Sequence, residues 1–168
     1  DGDADVGADA DADGDAGPDG TAAPVCGDDT CEAGESCGEC PEDCGLCADA
    51  LFVATTGDDG NPGTEAEPFR TIQHAVGLVD PGDAIYVRVG TYAERVRVER
   101  SGAEGSPITL AAYPGEEVLV DGGTDPALQT SGAVAFWPVA GLGFQGQGRY
   151  TLLLGWGGAS ENSHWVLR

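Results

Sequence analysis

The chain has 168 residues, and its thirty acidic residues against seven arginines give a net charge of −23. A field of that sign repels phosphate backbones and anionic bilayer surfaces, which argues against nucleic acid as a partner and makes cations, calcium above all, the natural companions of the carboxylates. No stretch is long and apolar enough to span a bilayer. The chain begins at Asp1 and contains no methionine, so it reads as a processed product or fragment, with room for an export signal upstream of residue 1.

Residues 1–25 consist mainly of Asp, Ala and Gly. Such a stretch has too little apolar bulk to offset its ordering entropy, so it is expected to be a disordered acidic tether. Asp9, Asp11 and Asp13, followed by Gly14, match the opening of a calcium loop, D-x-D-x-D-G. The twelfth position should carry a bidentate Glu and is Gly20, so a solvated linker is preferred over an ordered calcium site.

Residues 26–47 hold all six cysteines: Cys26, Cys31, Cys37, Cys40, Cys44 and Cys47. An even number at this density points to an oxidising compartment and a small disulfide module with three intrachain bridges. The spacing leaves the pairing open. A zinc site is disfavoured, because only three residues separate Cys37-x2-Cys40 from Cys44-x2-Cys47. The x2, x3, x2 spacing also misses the iron–sulfur pattern.

Residues 48–168 carry the main fold. Leu51 to Thr55 reads as a strand and Gly57 to Gly63 as a loop. A helix is predicted over about 69–79, where Phe69, Ile72, Ala75, Val76 and Val79 share one face, with Pro68 suited to its first turn and Pro81-Gly82-Asp83 ending it. The period then becomes two. Ile85, Val87 and Val89 alternate with Tyr86 and Arg88, and Val96 and Val98 alternate with Arg95, Arg97 and Glu99. Ile108, Leu110 and Ala112 follow, then Val118 and Val120. Val87 to Leu110 spans 23 residues and Val98 to Val120 spans 22, an interval that suits the coil of a solenoid. Residues 84–121 are therefore predicted to form two stacked coils, with Val87 against Leu110 and Val98 against Val120. Tyr86 and Arg88 would face outward, and the helix would cover the open end of the core. Later candidate strands are Ala133–Val139, Arg149–Leu154 and His164–Leu167, interrupted by glycines. The last run reaches Arg168 without a capping element, which reads as truncation of a longer solenoid.

The run Phe52-Val53-Ala54, Gly57 to Thr64, Pro68 to Ala75, Pro81 to Val87 and Gly90-Thr91-Tyr92 resembles the N-terminal signature of right-handed parallel β-helix proteins of the pectate-lyase-like superfamily, with a DUF1565-type opening. Pro107 to Leu110, Tyr113 to Glu116 and Val120-Asp121-Gly122 extend the likeness. The cysteine block resembles a module of secreted myxobacterial proteins, where an Asp/Ala/Gly tether often follows a lipid-modified Cys, so this resemblance also implies a lipid anchor upstream of residue 1. The resemblance implies an all-β solenoid, location outside the cell or on its outer surface, and dealings with polysaccharide. Lyases of this superfamily use a calcium-binding acidic cluster and a Lys or Arg base in middle coils. No such set is visible here, and a Lys base is excluded within these residues.

Arg88, Arg95 and Arg97 are candidate partners for uronate carboxylates, against the plainer reading of solvated strand faces balanced by Glu94 and Glu99. Asp83 and Asp121 are candidate calcium ligands, but an Asp beside Gly more often bonds its own turn. Trp137, Trp156, Trp165 and Tyr150 are candidates for stacking on sugars, against the plainer reading of core packing. Neither His74 nor His164 has a visible partner for general-base work. Three functions remain: a polysaccharide-binding surface or secreted protein, the front of a calcium-dependent polysaccharide lyase, and a structural stalk. Whether the chain is an enzyme stays open at this stage.

Overall fold

A computed structural model describes residues 30, 31, 37, 41–146, 152, 153 and 165–167. The tether at residues 1–25, with Asp9, Asp11 and Asp13, lies outside the described residues, as do Cys26, Cys40, Tyr150, Trp156 and His164.

Eleven short strands among the described residues form three parallel sheets. In chain order they are β1 (Leu51–Val53), β2 (Ala84–Val87), β3 (Gly90–Tyr92), β4 (Val96–Val98), β5 (Thr109–Ala112), β6 (Val118–Asp121), β7 (Leu128–Thr130), β8 (Trp137–Ala140), β9 (Leu142–Gln145), β10 (Leu152–Leu153) and β11 (Trp165–Leu167). The first sheet has the order β1-β2-β5-β8-β11, the second β3-β6-β9 and the third β4-β7-β10. Each turn of the chain thus gives one strand to each sheet in sequence: β2-β3-β4, then β5-β6-β7, then β8-β9-β10. This is a parallel β-solenoid.

Stacking fixes the core. Ile85 pairs with Leu51 on one side and Leu110 on the other, and Leu110 pairs in turn with Val139. Tyr92, Val120 and Phe144 form a second inward column, and Val96 and Leu128 a third. Of these, Ile85, Leu110, Val96, Val120 and Leu128 are fully buried. The expected register is corrected: Val87 pairs with Ala112 rather than Leu110, and Val98 pairs with Thr130 rather than Val120. Residues 84–121 hold one complete coil and two strands of the next. Val87 and Leu110 lie on neighbouring strands of the first sheet, two residues out of register, whereas Val98 and Val120 lie in different sheets, the third and the second. Turn lengths vary between coils, so no constant interval exists to be counted.

The helix α2 spans Ile72–Leu78, shorter than expected, with Thr71 as N-cap accepting from the His74 N–H. Ile72, Ala75 and Val76 turn inward and are buried, as are Phe69 and Val79 on either side. The helix packs against β1, β2 and β4, covering the end of the core as expected. Gln73 adds a device the sequence did not advertise. Its side-chain amide accepts from the Arg97 N–H at 2.6 Å and donates to the Arg97 carbonyl at 3.3 Å. One side chain thereby takes the place of a neighbouring strand on the open edge of β4.

The cysteine segment is attached to the outside of the first sheet. Cys31–Cys44 and Cys37–Cys47 are bridged, and no described cysteine is free. A short helix α1 (Pro41–Cys44) is its regular element among the described residues. Leu46 and Cys47 pack with Ala50, Phe52, Ala84, Tyr86 and Ala111 in a second apolar cluster. Tyr86 therefore faces away from the solenoid core yet has no exposed surface, which corrects the expectation that this position is solvated.

Three tyrosines hold their protons above the ordinary range: Tyr86 under this cover, Tyr92 in the solenoid core, and Tyr113 through its hydrogen bond to Glu65. Burial raises the Tyr86 pKa, and burial together with Glu94 and Glu116 pushes Tyr92 up to about 12. The folded state holds these protons more tightly than the unfolded chain, whose tyrosines ionise near 10. Their contribution to stability is therefore complete below about pH 10 and falls as pH rises from there toward 12. Spectrophotometric titration of the native protein is expected to show Tyr86, Tyr92 and Tyr113 ionising late, with all four tyrosines near 10 in denaturant. Native curves that overlay the denatured ones would contradict the burial of Tyr86 and Tyr92.

Candidate functional site

The corner between β3 and β4 carries two adjoining clefts that share Ala93 and Glu94. The first, of about 270 Å³, is lined by Thr55, Arg70, Thr71, Thr91, Tyr92, Ala93 and Glu94. The second, of about 340 Å³, is lined by Ala93, Glu94, Arg95, Asp121, Gly122, Gly123 and Asp125. Thr55 and Arg70 precede β2, residues 93–95 lie in the β2-β3-β4 coil, and Asp121–Asp125 lie in the next. The clefts thus form a groove along the solenoid axis, crossing successive coils spaced about 4.8 Å apart.

The groove's carboxylates are mostly committed to the scaffold. Both oxygens of Glu94 accept backbone N–H bonds from the start of α2, from Ile72 and Gln73, each at 2.9 Å. Just outside the groove, Asp59 accepts from the Arg70 and Thr71 N–H groups, each at 2.9 Å, and from the Thr71 hydroxyl. Burial works to raise the Asp59 pKa, but these bonds outweigh it and hold the carboxyl below its ordinary value. Asp121 accepts from the Gly123 N–H at 2.8 Å in its own turn, and Gln145 donates to its other oxygen at 3.4 Å. Asp83 likewise accepts from the Asp80 N–H. Both therefore play the turn role rather than gathering around a cation. Among the described residues, no group of three or more His, Cys, Asp or Glu is arranged to hold a metal ion.

The arginines divide by what holds them. Arg88 is locked: its guanidinium donates twice to Glu116, at 3.0 and 2.7 Å, and lies 4.2 Å over the Tyr113 ring. This pairing holds Glu116 below its ordinary pKa and Arg88 above its own. Arg97 points away from the groove, 3.9 Å from Glu99, with Gln129 accepting from it when its amide oxygen is turned inward. Arg95 lines the groove and meets Asp125 at 3.5 Å, with both side chains at least half exposed. Such a bridge is worth about 0–1 kcal/mol and yields readily to a competing anion. Arg70 is exposed beside three threonines, and among the described residues no carboxylate pairs with its side chain. Sequence reasoning passed over it because it stands in the helix approach rather than in a strand.

Trp137 is corrected as a sugar-stacking candidate. Its ring is fully buried and its indole N–H donates to the Arg100 carbonyl at 2.8 Å. His74 meets the Phe69 ring edge-on, 4.7 Å between centroids, a packing role.

A family described as the Pel9A-like, right-handed β-helix region matches residues 51–164. Among curated relatives, the uncharacterized protein YwoF of Bacillus subtilis is 42% identical over 74 residues, covering 44% of this chain and 16% of its own. Pectate lyase PEL9 of Emericella nidulans is 39% identical over 46% of this chain and 19% of its own. Pectate lyase L of Paenibacillus polymyxa is 33% identical over 66% of this chain and 26% of its own. The chain thus spans about a quarter or less of the length of these relatives.

Proposed function

The chain belongs to the Pel9A-like right-handed β-helix family, and from that premise we propose that it is part of an exported protein that binds polysaccharide along the groove at the β3–β4 corner. The observation that carries this reading is the axial run of polar side chains across successive coils, with the exposed Arg70 guanidinium at one end and the loosely held Arg95 further along. A solenoid offers a polymer an extended surface of this kind. Arg70 and Arg95 would face carboxylated sugars, and Thr55 and Thr91 would meet ring hydroxyls. The two disulfide bridges support an oxidising location such as the cell exterior. No helix among the described residues is long and apolar enough to cross a membrane.

Affinity electrophoresis against polygalacturonate and a neutral glucan tests this. Binding to the uronate polymer is expected, and Arg70→Ala is expected to weaken it about twofold to fivefold, the value of one exposed ion pair. Absence of binding to either polymer would overturn the reading. The names of two relatives favour a second reading, the front of a pectate-type lyase. Its chemistry would rest on residues other than those described, with calcium as the cofactor. Release of unsaturated uronate by the full-length protein, lost on chelating calcium, would favour it over simple binding. The stalk reading would stand if neither binding nor cleavage occurred.

A further inference from the structure

We propose that the cysteine segment is a redox-dependent cover for the outer face of the first sheet, holding that face buried when oxidised and releasing it when reduced. The outward column of this sheet runs Phe52, Tyr86, Ala111, Ala140 by strand register. The first three are 8%, 0% and 3% exposed, values that belong to an interior and not to the outside of a solenoid. Leu46 and Cys47 supply the covering contacts from the cysteine segment, and Tyr113 of the solenoid flanks Phe52 with 6.4 Å between ring centroids. The Tyr86 hydroxyl donates to the Cys37 carbonyl at 3.0 Å and lies 3.5 Å from the Cys47 N–H, which donates to it. Cys37 and Cys47 are the two ends of one bridge, so the disulfide closes directly over the tyrosine it hides.

The cover and the solenoid are held by different forces. The coils are joined by continuous parallel ladders with their own core. The cysteine segment is far too short to build a core, and chains of this size need disulfides to hold a shape. A dithiol reductant delivers two electrons and two protons to each bridge, giving two thiols and leaving the reagent as a cyclic disulfide. The segment then regains its chain entropy while the ladders stay intact. What it uncovers is an aromatic, uncharged strip made by Phe52, Tyr86 and Ala111. In a reducing compartment this strip would be open, and oxidation would close it.

Hydroxyl-radical footprinting of the full chain, oxidised and after dithiol treatment without denaturant, reads the cover directly. Labelling of Tyr86 and Phe52 is expected to rise several-fold on reduction, while Leu110 and Ile72 stay protected. The double variant Cys37→Ser with Cys47→Ser, which keeps the Cys31–Cys44 bridge, should show the same exposure without reductant. Continued protection of Tyr86 in both cases, with the thiols titrated as free, would overturn the proposal. So would simultaneous exposure of Leu110, because the segment would then be inseparable from the solenoid fold.

Discussion

Leu110→Asp is expected to abolish folding of the solenoid. Leu110 is fully buried between Ile85 and Val139 in the middle of the first sheet, so a carboxylate there has stacked apolar neighbours on both sides. Loss of the leucine alone costs about 2–5 kcal/mol, and burying an unpaired charge adds several more. The sum rivals the about 5–15 kcal/mol that holds a domain of ordinary stability. Leu78→Lys provides the contrast: Leu78 is 51% exposed at the end of α2, where a cation suits the helix terminus, and the change should stay within about 0.5 kcal/mol. Circular dichroism and urea titration of the two variants would decide the matter. A cooperative transition for Leu110→Asp near that of the parent would refute the assigned core.

The double variant Ile72→Asp with Val76→Asp is expected to aggregate rather than merely lose stability. Both residues are at most 3% exposed on the inward face of α2, and each buried aliphatic of this size contributes about 1.5–3 kcal/mol. Two charges there would unseat the helix and withdraw Gln73 from the Arg97 peptide groups. The free edge of β4 and the end of the core would then both be open, which is the arrangement that recruits further chains. Light scattering with size-exclusion chromatography should show large species for the double variant, and a smaller effect for Gln73→Ala, which frees the edge but leaves the core covered. A soluble, monomeric double variant would show that the helix is not the guard of this end.

Much of the architecture was legible in the residues themselves. The alternation around Ile85–Val87 and Val96–Val98, and the shift of period over Phe69–Val79, reported strands and a helix because local periodicity is a property of the chain alone. The signature from Phe52 to Tyr92 carried the family, and the cysteine density carried the bridges. Three strands escaped notice: β3 begins with Gly90, β7 is the bare run Leu128–Thr130, and β9 is broken by Gly143. Each owes its extended form mainly to its ladder partners, β6 for β3 and β9, and β4 and β10 for β7, which have no trace in three or four residues of sequence.

Local patterns in the residues suffice for a β-solenoid with a helix at one end and an oxidised cysteine segment before it, because periodicity, composition and motif are properties of short stretches. The register emerges on folding, since it depends on turn lengths that vary from coil to coil, and so does the cover over Tyr86. The unbroken apolar runs Leu51–Val53 and Ala84–Val87 hinted at strands buried on both faces, but what lies over them comes from residues some forty positions away. The groove belongs to the same class. Arg70, Arg95 and Asp125 share it because stacking brings distant turns side by side, and Glu94 beside them is taken up by the first backbone N–H groups of α2, a contact that no spacing rule shows.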